Sequence, residues 1–552
     1  MLRILSTDFP DVINDNAAST EASLEVNAVA TYQDGRNATT AQLVYRGITE
    51  ANWSRVPVNV SVGNSRISAT LPQAWFDEIG LEYYFEITVF ANIRIFSDRG
   101  YTYRNYTADG QTIPGLRSGT TAADYQIISV PLVLRDPSVA TTLEDNLGEY
   151  NPRKWRLFAY RNGVLQEHEQ GFTTIDPNQG YWLIMKDQRN VATGEGSTHR
   201  VYQESPYVMR LQKGWNQIGN PYNFNVVWGD VKAYNRNPPG LGGLRVFDRG
   251  FQNTDTLKKF RGAFVFAETD MMISIPVLKN KAANGGRIAK SRGTSRITQA
   301  ERDDQDLSWL VNFDLHGDHI SYRLGGLGMH RQASTGKDAF DDLTPPRFSG
   351  FLEMNFDHPE YFARRFTRDV VPDAPAHTWT FTVAAGTARQ GVRMDWEGLF
   401  GKIPSGHQLY LYDEKNGTAV DMLRQGSYAF GLDSAATFRV VYGPESYIRE
   451  HLPIREVRAG LAFPNPFTDQ VQIPVSLPQE SDAYTVRLQI FSAQGALINT
   501  VERVSLAPGV HYFTWDGADA GGRRVPSGMY VGRLEVIAPG IRKEFTQKLI
   551  LR

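Results

Sequence analysis

At 552 residues the chain is longer than one hydrophobic core organises, and it is expected to divide into about three to five domains. Lys plus Arg number 58 against 60 Asp plus Glu, so no global basic field exists to hold nucleic acid or an anionic membrane. No apolar run approaches the roughly 20 residues of a membrane helix, and the absence of cysteine excludes disulfides, thiolate metal sites and cysteine catalysis.

Aromatics at 12% favour pleated, half-buried surfaces. Short alternating runs broken by Gly, Asn, Asp and Pro predict a mainly β protein: tandem antiparallel β-sandwiches, immunoglobulin- or fibronectin-like, with short helices. The opening MLRILSTDFPDV has too short an apolar core for a secretory signal; if the protein is exported, this Met1 is expected to be an internal start or the edge of a fragment, with part of the natural N-terminus missing. Residues 1–110 read as a first sandwich, with Leu24, Val26, Ala28, Ala30 and Tyr32 apolar at every second position and PQAWFDEIG as one helical turn stopped by Gly80. Residues 118–280 read as a β-rich module with a short helix at TTLEDNLGEY, where Thr142 and Asp145 have capping-box spacing and Gly148 is the stop. Residues 281–306 read as a flexible linker or loop whose basic cluster (Arg287, Lys290, Arg292, Arg296) lacks the interleaved aromatics of a nucleic-acid site. Residues 307–450 read as another antiparallel sandwich of about eight strands, and 455–552 as an immunoglobulin-like terminal domain.

The chain carries no G-x-S-x-G, H-E-x-x-H, P-loop or strand-linked G-x-G-x-x-G motif. Asp314, His316, Asp318 and His319 have the chemistry of a metal site, but they read as a hairpin tip where polar residues are expected. Asp8, Asp11 and Asp15, or the loop DGADAGG, have the oxygen-rich chemistry that Ca²⁺ favours, but neither follows the D-x-[DN]-x-[DN]-G pattern and Asx turns explain the same residues equally well. The carboxylate pairs Glu353/Asp357 and Asp395/Glu397 invite a glycosidase reading, yet strand-face polarity accounts for them. The Trp residues suit a sugar platform less well than sandwich cores. No catalytic, cofactor or metal residues are assigned, and the chain is expected to be non-catalytic.

The last segment contains Phe463-Pro-Asn-Pro-Phe467, VQIPVSLP, VRLQIFSAQGALI, GVHYFTWDGADAGGRRVPSGMYVGRLEV and the closing QKLILR, in that order. It resembles the type A C-terminal sorting domain of type IX secretion cargo, and is similar to the Ig-like domain of the flagellar hook-capping protein. The residues carrying the resemblance are Pro464, Asn465, Pro466, Phe467, Gly495, Gly509, Trp515, Asp516, Gly517, Asp519, Gly522, Ser527, Gly528, Tyr530 and Lys548. More loosely, the preceding segments resemble accessory modules of Bacteroidota-type surface proteins. The resemblance implies a location outside a Gram-negative cell or on its outer membrane. The implied partners are the outer-membrane type IX translocon, its sorting and cleavage machinery, and a surface polysaccharide or another surface protein. Removal of the domain is implied within Ile454–Leu461. A structural or adhesive protein is the primary expectation. The alternatives are the non-catalytic C-terminal portion of a larger secreted peptidase or glycosidase, and a flagellar hook-assembly scaffold, which fits only the last domain.

Overall fold

A computed structural model describes residues 3–8, 12–15, 23–31, 38–61, 66–89, 93–107, 110–280, 299–348, 350–386 and 390–552. The chain forms two compact units, residues 1–292 and 293–552, and it is mainly β, with short helices.

In the first unit, Thr40–Gly47 lies antiparallel between Ser54–Ser61 and Gly80–Val89, and Ser23–Thr31 pairs with Arg66–Pro72. Alternation points Ile67, Ala69 and Leu71 inward to meet Val26, Leu43, Tyr83, Phe85 and Ile87. Each of the larger aliphatic and Phe side chains among them contributes about 1.5–3 kcal/mol on burial. Tyr32, the last of the alternating run, lies outside the described residues. The turn expected to stop at Gly80 is shorter. It covers Gln73–Trp75, and Phe76 is already extended. Gly80 instead begins a strand, where a Cβ would stand 2.2 Å from the Thr102 carbonyl oxygen. Close backbone approach, not a left-handed cap, requires glycine there.

The segments read as 1–110 and 118–280 meet in one sheet. Gly100–Tyr106 pairs with Gly80–Val89 on one side and Gly196–Ser197 on the other. One core joins Ile48, Ile79 and Tyr103 to Met209, Ile218, Tyr222, Trp228 and Val265. The short helix is π-helical over Ala140–Glu144 and α-helical over Asp145–Leu147, with Gly148 at φ 80°. The expected Thr142/Asp145 capping box does not form, because the helix starts earlier. Thr142 donates to the Ser138 carbonyl at 2.8 Å, and Ser138 Oγ accepts from the Thr141 amide at 3.2 Å. A further helix, Trp228–Tyr234, buries Trp228 and Val231.

In the second unit, Leu307–His316 lies between Ser321–His330 and Gln390–Gly398, and His377–Ala385 lies between Leu352–Asp357 and Ala435–Pro444. Trp309 and Trp379 meet edge-on at 5.5 Å in the core. Two strand pairs run parallel: Ser321–His330 with Arg365–Pro372 in this unit, and Val12–Asp15 with Gly100–Tyr106 in the first. The stretch read as linker 281–306 is helical at Gln299–Asp303, where Glu301 and Arg302 pair with Arg368 and Glu397 at 2.9 and 3.0 Å. Its basic cluster lies outside the described residues.

The terminal domain is a two-sheet sandwich. Val471–Leu477 pairs with Gly509–Trp515 and Arg458–Ala459, facing a sheet in the order Leu497–Leu506, Tyr484–Ser492, Gly528–Ala538, Ile541–Leu551. Inward residues alternate along Tyr484–Ser492, so Val486, Leu488 and Ile490 meet Ile473 and Val475 across the core.

Candidate functional site: the tied end of the terminal domain

Most of the motif residues gather at one end of this sandwich. Phe463–Pro464 and Asn465–Pro466 are cis, and Phe463 exchanges backbone hydrogen bonds with Gln472 at 2.9 and 2.8 Å. The Asn465 side chain then acts as a piece of strand. Its Nδ2 donates to the Lys548 carbonyl at 2.7 Å, and its Oδ1 accepts the Ile550 amide at 2.9 Å. Phe467 continues the pairing with its backbone: its amide donates to Ile550, and its carbonyl accepts from Arg552, both at 2.9 Å. The chain's last residues are thereby bound to the segment that opens the domain.

Trp515 plugs this end. It is 1% exposed, with Phe467 and Tyr530 edge-on at 5.6 and 5.0 Å, and its Nε1 donates to the Ala518 carbonyl at 2.8 Å. Asp516 Oδ1 accepts the Ala518 amide at 3.1 Å across Gly517, whose φ of 75° suits glycine and which packs on Leu551. Asp519 Oδ1 accepts the amides of Arg523 and Gly521, each at 2.9 Å; these bonds, that of Arg523 foremost, hold its carboxyl below the ordinary range. Gly522, at φ 75°, closes the loop, and Tyr530 Oη donates to the Pro526 carbonyl at 2.6 Å.

Ser527 and Gly528 are exposed at the same end, where Gly528 starts its strand opposite Leu551. Gly495, at φ 85°, turns the neighbouring hairpin. Gly509 stands apart: it pairs with Leu477 at the opposite end. Three further residues, not among the motif residues named above, also tie this end. Gln547 bridges Gly460 and Ala462 at 2.5 and 2.7 Å, Asn499 Nδ2 donates to the Ala518 carbonyl at 2.9 Å, and Arg524 donates to the Thr468 carbonyl. Pro464, Asn465, Pro466, Asp516 and Lys548 remain exposed, forming a rim of side chains that add nothing to the core.

The other candidates are engaged elsewhere. His316 Nε2 stands 3.4 Å from Asp395 Oδ2, while Asp318 and His319 are exposed in the turn. Among the described residues no group of three His, Asp or Glu is placed to hold a metal ion. Asp11 lies outside the described residues, and Asp516 and Asp519 serve as Asx-turn acceptors. Glu353 is buried between Arg347 and Arg365 at 2.6 and 3.0 Å, and Asp357 pairs with Arg364. Glu397 pairs with Arg302. Asp357, held low chiefly by its Arg364 hydrogen bond, is ill-suited to donate a proton. Trp155, Trp182, Trp309, Trp379 and Trp515 are fully buried and present no sugar-stacking face.

Residues 465–536 match the family model described as the FlgD Ig-like domain. No curated protein matches the chain. Among solved structures, FlgD from P. aeruginosa is similar at 25% identity, covering 15% of this chain and 61% of its own, with a TM-score of 0.13. Dimeric latent PorU from Porphyromonas gingivalis is 10% identical, covering 100% of this chain and 34% of its own, with a TM-score of 0.17. PorZ of the same organism, described as an essential bacterial surface component of the type IX secretion system, is 20% identical over 21% of this chain and 14% of its own, at 0.13. The chain spans less than two thirds of each of these proteins, and likeness at such TM-scores bears on no activity.

Proposed function

We propose that this is a structural or binding protein of the Gram-negative cell surface, exported by type IX secretion through its terminal domain. The observation that carries the reading is the direct tie between the PNPF segment and the closing QKLILR. These two parts of the sorting-domain resemblance are 83 residues apart at the Asn465–Lys548 bond, and exposed motif side chains surround them. A receptor reading that rim senses at once that the domain is folded and that its closing strand is in place. The partners in this reading are the outer-membrane translocon and its cleavage machinery, with a surface polysaccharide or surface protein as the eventual ligand. Domain removal falls within Ile454–Leu461. There Arg455, Glu456 and Leu461 are exposed, while Arg458 and Ala459 pair with Ser476 and Val475, so the accessible bonds lie on either side of that pairing. The non-catalytic reading is supported by the arginine partners of the candidate carboxylates.

Deletion of Phe463–Arg552 in the native host tests the proposal by cell fractionation. The truncated protein is expected to accumulate in the periplasm. Normal surface display of the deletion would end the sorting reading.

A further inference from the structure

A cleft of about 570 Å³ opens in the first unit, where the corner Phe76–Glu78, the end of strand Gly100–Tyr106 and three loops converge. Most of its charged groups are already committed to the fold. The Asp77 carboxylate accepts the backbone amides of Thr49, Ile79 and Gly80 at 2.5, 2.9 and 2.9 Å. Arg104 donates to the carbonyls of Phe76 and Asp77 at 2.7 and 2.5 Å, and Lys279 holds Glu78. The walls are therefore rigid before any ligand arrives, which lowers the entropic cost of binding.

Two groups in the wall are not committed. Asn223 is 6% exposed and Gln111 is half-buried; both line the cleft, and the amide oxygens of both are buried without a hydrogen-bond partner. The Asn223 Nδ2 donates to Tyr106 Oη at 3.3 Å, and Oδ1 is the end left without a donor. Buried carbonyl oxygens in folded proteins nearly always find a donor, so two in one wall point to a ligand that supplies donors. Asp77 offsets Arg104 and Lys279 offsets Glu78, so exposed Lys259 is the one lining charge left over, too little to hold a polyanion. Phe76, Tyr106 and Phe260 are at most 8% exposed, so little ring surface is open for stacking. A compact, uncharged molecule bearing several hydroxyls meets all of these conditions.

We propose that this cleft binds a neutral saccharide unit, with Asn223 Oδ1 and Gln111 Oε1 accepting its hydroxyls and exposed Lys259 at the mouth. The inference goes beyond surface export and is tested on the purified full chain, so failure of the export reading leaves it standing. Neutral trisaccharides of glucose, mannose and galactose, and acidic trigalacturonate, are titrated calorimetrically. At least one neutral trisaccharide is expected to bind with millimolar or tighter affinity, weakened about tenfold by Gln111→Leu, the worth of one hydrogen bond. Asn223→Leu is expected to act likewise; should it fail to fold, Gln111→Leu still decides, because its amide oxygen bonds nothing in the fold. Three results would each overturn the proposal: no neutral trisaccharide binds, Gln111→Leu binds as tightly as the parent, or only trigalacturonate binds.

Discussion

Replacing Asn465 with Ala tests whether the terminal strand is tied as described. The substitution removes two side chain–backbone hydrogen bonds, of 2.7 Å to Lys548 and 2.9 Å from Ile550. A bond of this kind contributes about 0.5–1.5 kcal/mol net, and water replaces part of each at this exposed site, so the loss is about 1–2 kcal/mol. The loss is local. Phe467 keeps its contact with Trp515 and its backbone bonds to Ile550 and Arg552, so the core stays closed while the strand end frays. That energy corresponds to about 5- to 30-fold faster amide exchange in the peptide covering 541–552, read by mass spectrometry on the full chain. Asn465→Asp keeps the acceptor for Ile550 but sets a second oxygen against the Lys548 carbonyl, so it should open the strand at least as far. Unchanged exchange in Asn465→Ala would refute the tie.

Three other sites give sharp expectations. Glu353→Ala strands two guanidinium groups around a buried position; breaking a buried pair costs about 3–5 kcal/mol, and half-exposed Arg347 lowers this to about 2–4, measured by urea unfolding. A loss below about 1 kcal/mol would show that water had already screened the pair. Gly80→Ala drives a methyl against the Thr102 carbonyl and should cost about 1–3 kcal/mol with faster exchange in the paired strand; parent-like melting would refute the close approach. Burial pushes Asp341 up to about 7 from 3.8, against the hydrogen bonds from Val370 and Asp338 and with Asp338 and Asp369 adding to the rise. Because the folded-state value lies above the unfolded one, its stabilising contribution is complete below about pH 4 and is lost as pH rises through about 7. Thermal midpoints of Asp341→Asn should therefore gain on the parent across that window, and parallel curves would contradict the assignment.

How much of this was legible in the sequence differs from element to element. Strands Arg66–Pro72 and Tyr484–Ser492 were readable because one face is buried and the side-chain period is two. The plug at Trp515 and the glycine turns beside it were readable because their signals are local. Gly80 and Thr142 were misplaced for opposite reasons: the first answers to a carbonyl 22 residues away, and the second to a helix that begins a turn early at Ser138. The cleft lined by Asn223 and Gln111 had no signal, since 112 positions separate residues that only a shared wall brings together.

Composition, alternation and turn residues thus determined a mainly β chain of sandwiches, and motif order marked its last segment. Those are short-range properties, decided by sterics and by which side of a strand is apolar. Tertiary structure alone decided that the first two segments share a sheet and a core. It alone also decided that strands pair in parallel at Arg365–Pro372 and that Asn465 and Gln547 stitch the terminal domain shut. Each of these depends on contacts between distant residues, whose loop-closure cost is recovered only once whole faces have packed.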